Sequence, residues 1–385
     1  MTGRRTATGL ALAATVLAAG CGASGAGNSL TRGTASRSAA LLATSLTTAA
    51  GTWAVTVMGG SAASHNNFWQ LFVRPAGTSR WKLVTPPGVA DNGGLVVADA
   101  GGPSLITAFR PSHYLTFTPL AVTRDGGQAW AVAGPLDARL ASSPDALAAA
   151  PGTGRLLALL ASGTAEVARP GYTRWTTLTT RRVLAATPAG RSCGLDSLTA
   201  AVFTPAGTPL LAGRCSRPGT AGIFTSRGGA WQAAGPALPA VLTRQPITVL
   251  RLTRTLTGIA ALLQAGTGPA ARLIAAWSAG GRWILSSPVR LRGARLRSAS
   301  FGPGGAVALI LGGNHAESIT GPAGSWRPLP TLPAGTATLT PGPAGGFNAL
   351  AARRTRLTVW QLGDGSATWH ATQIMKVPIQ FGSSG

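Results

Sequence analysis

The stretch Thr123-Arg-Asp-Gly-Gly-Gln-Ala-Trp130 is a polar, glycine-containing turn that leads directly into a tryptophan. Tryptophans that open a short apolar run recur along the chain at intervals of 43 to 56 residues: Trp81, Trp130, Trp175, Trp231, Trp283, Trp326 and Trp369. Between them lie short runs of valine, leucine, alanine, isoleucine and threonine. These runs are separated by Gly-Gly, Pro-Gly and Ala-Gly pairs, which are typical of turns between strands. The chain therefore reads as seven β-rich repeats.

The length of the repeat indicates the architecture. A period of about 40 to 50 residues with four short strands is typical of a β-propeller blade, whereas leucine-rich and ankyrin repeats are much shorter. Beyond the N-terminal segment, no stretch shows a capped helical period over three turns. We expect an all-β fold, a seven-bladed β-propeller of four-stranded blades, over residues 41–381. The predicted blades are 41–88, 91–136, 144–180, 193–240, 246–290, 295–332 and 335–381.

The N-terminus predicts export. Arg4 and Arg5 precede an apolar run over residues 7–19, and small residues lead to Cys21. This is the pattern of a secretory signal, predicted at residues 1–20, and the run is too short to span a bilayer. The sequence Leu17-Ala-Ala-Gly-Cys21 resembles a bacterial lipobox, which implies that Cys21 is lipidated and anchors the protein outside the cytoplasm. Because Ala18 stands three residues before Cys21, ordinary signal-peptidase cleavage remains an alternative.

Composition separates a tether from a large core. Residues 21–40 consist almost entirely of glycine, alanine, serine, threonine, asparagine and arginine after Cys21, which predicts a flexible tether. The whole chain is 45% hydrophobic and only 11% charged, which favours an extensive core over disorder. Seven blades that bury their faces on one another accommodate about 340 residues in one domain. We expect this domain to be a monomer.

The net charge is strongly positive. The formal charge is +24, and removal of Arg4 and Arg5 with the signal leaves +22. Only Lys82 and Lys376 are lysines, so the excess is nearly all arginine. A GC-rich genome, typical of actinobacteria, explains arginine in place of lysine but not the scarcity of acids. A positive field attracts polyanions, which predicts a membrane or anionic wall polymer as partner, and no nucleic acid. The alternative is a solvated surface without a charged partner.

Two cysteines remain once Cys21 is assigned. Cys193 and Cys215 flank a strand, a turn and a second strand. A hairpin brings its ends together, and disulfides persist in exported proteins, so we expect a Cys193–Cys215 disulfide. The four histidines show no metal-ligand spacing, and we expect neither a metal nor a cofactor. They are His65, His113, His315 and His370.

The stretch 123–130 carries a family resemblance. Its Thr123, Asp125, Gly127 and Trp130 match Ser/Thr-x-Asp-x-Gly-x-x-Trp, so the chain resembles the Asp-box (BNR, sialidase-like) propellers. The last repeat keeps the aspartate and tryptophan, as Asp364 and Trp369. The resemblance implies a structural turn between the third and fourth strands of a blade, on the rim and away from the ligand face. Asp125 would accept hydrogen bonds from the N–H groups of the turn.

The resemblance does not extend to the residues of sialidase catalysis. Those enzymes use an arginine triad, a late tyrosine paired with a glutamate, and a further acid. Here Phe109-Arg110-Pro111 is one residue short of their early motif, and the only tyrosines are Tyr114 and Tyr172. The only glutamates are Glu166 and Glu317, whereas glycoside hydrolysis generally requires a convergent pair of acids. We therefore do not expect an enzyme.

The sequence thus predicts a lipid-anchored, extracytoplasmic propeller that acts as a binding or scaffold protein, with an anionic polymer or another protein as partner. A degenerate sialidase-like glycoside hydrolase and an assembly factor for a membrane protein complex are the alternatives. The lining of the central channel should discriminate between them: clustered acids would favour an enzyme, and clustered arginine and tryptophan a binding protein. Four further tryptophans should fill the core between blades: Trp53, Trp69, Trp277 and Trp360.

Overall fold

Short apolar segments form antiparallel strands throughout the part of the chain that the computed structural model describes. This part comprises residues 44–59, 67–86, 91–111, 120–132, 144–255, 257–291, 295–342 and 345–378. Of the 29 described strands, 28 form seven consecutive groups of four, and each group is a meander in which sequential strands are neighbours. The remaining short strand, Val289–Arg290, pairs with the fifth group. The fold is therefore the predicted all-β, seven-bladed propeller.

The first three blades each contain four strands and no other regular element. Blade 1 consists of β1 (Thr44–Thr48), β2 (Gly51–Gly59), β3 (Asn67–Pro75) and β4 (Lys82–Leu83). Blade 2 consists of β5 (Asp91–Gly101), β6 (Ser104–Pro111), β7 (Leu120–Thr123) and β8 (Ala131–Val132). Blade 3 consists of β9 (Ala146–Ala149), β10 (Leu156–Leu159), β11 (Thr164–Ala168) and β12 (Trp175–Thr180).

The remaining four blades follow the same plan. Blade 4 consists of β13 (Leu195–Phe203), β14 (Pro209–Cys215), β15 (Ile223–Arg227) and β16 (Ala230–Ala233). Blade 5 consists of β17 (Ile247–Arg254), β18 (Gly258–Ala265), β19 (Arg272–Ala279) and β20 (Arg282–Leu285), with the short β21 (Val289–Arg290) beside β19. Blade 6 consists of β22 (Leu296–Phe301), β23 (Val307–Leu311), β24 (Ala316–Ile319) and β25 (Arg327–Pro328). Blade 7 consists of β26 (Thr336–Pro341), β27 (Phe347–Arg353), β28 (Arg356–Leu362) and β29 (His370–Lys376).

The core lies between the blades, because each sheet is covered on both faces by its neighbours. Strands β18 and β23 are accordingly almost continuous apolar runs, GIAALLQA and VALIL, with nearly every side chain buried. A typical inter-blade cluster joins Ile223 of blade 4 to Ile247 and Ile274 of blade 5. Strands that are buried on both faces lose the alternation of apolar and polar residues seen in half-exposed sheets.

Two short helices interrupt the pattern between blades 3 and 4, and the sequence did not predict them. Helix α1 (Arg181–Ala185) begins after Thr180, and α2 (Pro188–Cys193) begins after Thr187; each threonine side chain accepts a backbone N–H of the first turn. Gly194, with φ of 63°, ends α2 in the left-handed conformation. Helices of five and six residues are too short to show an apolar period, so capping residues were the only signal available.

The tryptophans near the outer strands connect blades as well as fill them. Three indole N–H groups donate to carbonyl oxygens of the preceding blade's connecting segment: Trp283 to Ala234 at 2.8 Å, Trp326 to Ser287 at 2.8 Å, and Trp369 to Pro330 at 3.3 Å. The four additional tryptophans lie in second or third strands. Trp53 and Trp277 are buried, and Trp69 and Trp360 pack against the core from its edge.

Side chains close the ring between blade 7 and blade 1. The amide of Gln373 accepts the N–H of Trp81 and donates to the Trp81 carbonyl, both at 2.8 Å. Thr338 Oγ1 donates to the Val55 carbonyl, and the Gly59 N–H donates to the Arg354 carbonyl. Strand β29 pairs with β28 and ends at Lys376.

The meander defines two faces of the propeller. The near face carries the start of every first strand, including Thr44, and the connections between second and third strands. The far face carries the connections between first and second strands and between third and fourth strands. In the described part of the chain, no helix is long and apolar enough to cross a bilayer.

Candidate functional site

The turn at Thr123–Trp130 lies on the far face, between β7 and β8. One carboxylate oxygen of Asp125 accepts the Thr123 hydroxyl at 2.7 Å and the N–H groups of Gln128 at 2.9 Å and Ala129 at 3.0 Å. The Thr123 hydroxyl oxygen accepts the N–H of Gly127 at 2.9 Å. Gly127 has a φ of 90°, and a Cβ there would be 2.9 Å from Val84. Thr123 and Asp125 therefore accept hydrogen bonds from the backbone N–H groups of their own turn.

These hydrogen bonds lower the pKa of the Asp125 carboxyl below its ordinary value of 3.8, with the Ala129 N–H as the largest cause. A carboxyl with a depressed pKa in the folded protein stabilises the fold at pH values above the unfolded pKa, and this contribution disappears as pH falls through the folded value. We expect the stability difference between wild type and Asp125→Asn to shrink on the acid side of pH 4. Urea unfolding of both proteins from pH 6 to pH 2 measures it; a constant difference would contradict the assignment.

The corresponding turn of blade 7 is built differently. Asp364 is exposed, and the turn before Trp369 is held by Ser366, whose hydroxyl donates to the Thr368 carbonyl at 3.2 Å and whose oxygen lies 3.3 Å from the Thr368 N–H. Trp369 then bonds to blade 6, as described above. In this turn Ser366, rather than Asp364, accepts a backbone N–H.

The predicted disulfide is confirmed. Cys193, at the end of α2, and Cys215, at the end of β14, are joined with an S–S distance of 1.96 Å and a Cα–Cα distance of 5.1 Å. Both are fully buried on the near face, in the cluster between blades 3 and 4. Gly222 lies against them, and a Cβ there would be 2.6 Å from the Cys215 sulfur. The bond therefore fastens α2 to blade 4.

The central channel is narrow and carries one positive charge in its wall. A cavity of about 80 Å³ is lined by first-strand residues of six blades, mainly aliphatic and hydroxyl side chains together with Arg251. Burial lowers the pKa of the Arg251 guanidinium from its ordinary value of 12.5 to about 10. With this pKa the side chain, which is partly buried, remains charged at neutral pH. At the far mouth Arg254 spans the channel, with Asp99 at 2.9 Å and the Ala149 carbonyl at 3.1 Å.

The described lining of the cavity contains no carboxylate and no tryptophan. It therefore shows neither the cluster of acids that would favour an enzyme nor the cluster of arginine and tryptophan that would favour a binding protein. Glu166 is buried on β11 and lies 3.5 Å from the Thr177 hydroxyl, away from this cavity. The Arg110 side chain and Tyr114 lie outside the described residues, as do Cys21, His65 and His113. Among the described histidines, cysteines and acids, no group of three converges on a possible metal site.

A groove of about 810 Å³ lies on the far face of blade 3. It lies where the β9–β10 turn meets the β11–β12 loop, and its lining supplies three arginines, here called the arginine groove: Arg155, Arg169 and Arg174. Val167, Ala168 and Pro170 line the rest together with Thr173 and Thr176. In the described part of the chain, none of the three guanidinium groups forms an ion pair. The lining of the groove therefore includes three arginines that form no ion pair with a described acid.

The loop geometry around the arginine groove is fixed. Tyr172 adopts a φ of 50°, a conformation that non-glycine residues rarely adopt, and its hydroxyl donates to the Gly154 carbonyl at 3.2 Å. The Trp175 indole donates to the Tyr172 carbonyl at 3.1 Å. Arg155 lies 5.8 Å from the ring centroid of Phe203 in blade 4. Burial raises the pKa of Tyr172, and the charge of Arg124 opposes this rise.

The sequence did not predict the arginine groove. Its arginines stand 14 and 5 residues apart and form no linear motif. They converge because both of the far-face connections of one blade contribute. Once the strands are assigned, the only available signal would have been arginines in the first-to-second and third-to-fourth connections of the same repeat.

Comparison with solved structures agrees with the fold. A protein from Lactobacillus plantarum is 12% identical over 85% of this chain and 96% of its own, with a TM-score of 0.52. YCF48 from Cyanidioschyzon merolae is 14% identical over 88% and 96%, with a TM-score of 0.46. YCF48 bound to a D1 peptide is 14% identical over 90% and 93%, with a TM-score of 0.47. No protein-family model and no curated protein matches the sequence. The likeness to the Lactobacillus plantarum structure supports a propeller and shows the fold alone.

Proposed function

We propose that this protein is an extracytoplasmic, lipid-anchored propeller that binds an anionic wall polymer, without catalysis, in the arginine groove. The observation that carries the proposal is that Arg155, Arg169 and Arg174 line one open groove and that none of them forms an ion pair with a described acid. Guanidinium groups form paired hydrogen bonds with phosphate and carboxylate oxygens. A groove with a row of such groups suits a ligand that repeats its negative charges.

The lining of the groove favours a polymer over a folded protein partner. Protein interfaces are usually anchored by aromatic side chains in a desolvated centre. Here the apolar lining is limited to Val167, Ala168 and Pro170, and no aromatic side chain is among the residues that line the groove. Binding should therefore depend mainly on charge and weaken as salt rises, since the Debye length shortens from about 10 Å at 0.1 M to about 3 Å at 1 M.

The Asp-box resemblance has a structural place in this proposal. The turn of Asp125 lies on the same far face as the arginine groove, although the resemblance implies a position away from the ligand face. Its hydrogen bonds stay within the turn, so we assign Asp125 a structural role and no contact with the ligand. The alternative is that the protein is an assembly factor for a membrane protein complex. In that case an acidic polypeptide, rather than a wall polymer, would occupy the groove. A glycoside hydrolase receives no specific support from the described cavity lining or from the groove.

The groove proposal is tested by charge removal. We expect Arg155→Gln/Arg169→Gln/Arg174→Gln to bind poly(glycerol phosphate) at least tenfold more weakly than wild type at 0.1 M salt, because charge-assisted hydrogen bonds to ionised groups contribute about 1.5–3 kcal/mol each. The matched control removes three exposed arginines of the same face: Arg227, Arg282 and Arg327. Equal losses in both variants would show that the charge acts without a site. Groove-dependent binding of polyglutamate alone would support an acidic protein partner instead.

The anchor is tested separately. We expect wild-type protein in the membrane fraction of its cells, and Cys21→Ala protein released or left with its signal, because the variant lacks the thiol that accepts the lipid. Fractionation followed by mass measurement of the N-terminus distinguishes the two forms. Normal processing of Cys21→Ala together with unchanged membrane retention would contradict the anchor and would leave the groove proposal unaffected.

A further inference from the structure

A second group of positive charges lies on the near face, at the β27–β28 hairpin of blade 7. Arg353 and Arg356 are paired across the hairpin, and Arg356 is also paired with Lys376 of β29. Arg354 occupies the turn between them. All four side chains are exposed, and within the described residues none forms an ion pair. These residues, Arg353, Arg354, Arg356 and Lys376, are here called the hairpin patch.

The local fold does not favour this arrangement. Like charges directly opposite each other on neighbouring strands repel. Arg354 adopts a φ of 51°, where glycine or asparagine would be less strained. The surrounding sequence offers little compensation: residues 41–88 of blade 1 contain no acid, and 335–381 contain only Asp364, which lies at the far-face end of its blade. The hairpin patch is therefore a concentration of charge that folding alone does not explain.

We infer that the hairpin patch docks this protein on a membrane surface rich in anionic lipid. The patch consists of a hairpin turn and the adjoining strand end, at the near-face end of blade 7, and its side chains are exposed. The first strand also begins at this face, at Thr44, so the proposed anchor would join the propeller on the side that carries the patch. With the hairpin patch on the bilayer, the arginine groove on the far face would be directed toward the wall.

The chemistry suits lipid headgroups. Each lysine or arginine close to an anionic leaflet contributes about fivefold to membrane affinity, and the attraction decays within a Debye length. Exposed cations at the end of a hairpin can approach several headgroups of a planar surface at once. The arginine groove, by contrast, is concave and belongs to the opposite face.

The experiment uses a chain that begins at Gly22, which retains every described residue and lacks both the apolar leader and Cys21. Its binding to vesicles of 30% phosphatidylglycerol in phosphatidylcholine is measured by sedimentation at 0.1 M salt. We expect Arg353→Gln/Arg356→Gln/Lys376→Gln to bind on the order of a hundredfold more weakly. The far-face control, Arg227→Gln/Arg282→Gln/Arg327→Gln, should stay within about twofold of the parent chain, and pure phosphatidylcholine should bind neither protein.

Further variants and competitors keep the test independent of folding and of the anchor. The charge-preserving Arg353→Lys/Arg356→Lys should retain binding within about twofold, because the membrane responds to charge rather than to guanidinium geometry. Equal losses in the patch and control variants would overturn the inference, as would full displacement by millimolar glycerol phosphate, which would indicate a site for free phosphate. Retained polymer binding in the patch variant, with lost vesicle binding, separates this inference from the groove proposal.

Discussion

Replacing Trp81 by alanine should destabilise the protein by about 3–5 kcal/mol, the range for removing a large aromatic side chain from a core. Trp81 is 1% exposed and packs with Ala54, Met58 and Phe72 of its own blade. The same cluster contains four residues of blade 7 and its continuation: Leu350, Leu357, Val359 and Val377. Because this contact closes the ring, the cavity would open at the junction between the first and last blades.

This loss is a large fraction of the free energy of unfolding of a typical protein, which is about 5–15 kcal/mol. Urea unfolding followed by circular dichroism measures it. Trp231→Ala is the matched control: Trp231 stands in the outer strand of blade 4, is only partly buried and contacts its cluster from the edge. Its loss should be roughly half as large or smaller, in proportion to the buried area removed. Equal losses would show that the Trp81 junction is not a special point of closure.

Removing the disulfide should cost about 3 kcal/mol. Cys193 and Cys215 are 22 residues apart, and a bond that closes a loop of this length restricts the unfolded chain by about this amount in the chain-entropy account. We expect the Cys193→Ala/Cys215→Ala protein to unfold at lower urea than wild type, and α2 to detach before the blades. The effect should be seen without any change in surface charge.

Reductant provides the internal control for the disulfide. Wild type should lose stability in reductant during unfolding, because the bond becomes accessible once blade 4 opens. The double variant, which has no bond to lose, should show the same unfolding midpoint with and without reductant. Thiol labelling of denatured wild type should find neither Cys193 nor Cys215 reactive unless reductant is added. Labelling of both without reductant would contradict the bond.

The repeat of tryptophans predicted the fold class and blade number because each blade needs a large side chain near its outer strand to fill the gap to its neighbour. The Cys193–Cys215 bond was predictable for a similar reason, since a hairpin brings its ends together. The features that the sequence did not predict are those that leave no periodic pattern of residues. Helices α1 and α2 are too short to show one, and the closing contact between Gln373 and Trp81 joins residues 292 apart.

The candidate sites depend on topology more than on sequence. In the sequence nothing distinguishes Arg155 and Arg169 from other arginines. They line one groove because the meander places their two connections on the same face of blade 3. The hairpin patch likewise becomes visible only when Arg356 is seen opposite both Arg353 and Lys376. Net charge alone predicted a polyanionic partner but could not indicate where on the propeller it would bind.

The central claim is that an anionic polymer occupies the arginine groove, and arginine footprinting measures this most directly. The protein is treated with an arginine-selective dicarbonyl reagent with and without poly(glycerol phosphate) at 0.1 M salt, and modified peptides are quantified by mass spectrometry. We expect the polymer to protect Arg155, Arg169 and Arg174 severalfold, and to leave Arg227, Arg282 and Arg327 unprotected. Uniform protection of all six arginines, or protection confined to the second three, would contradict the account.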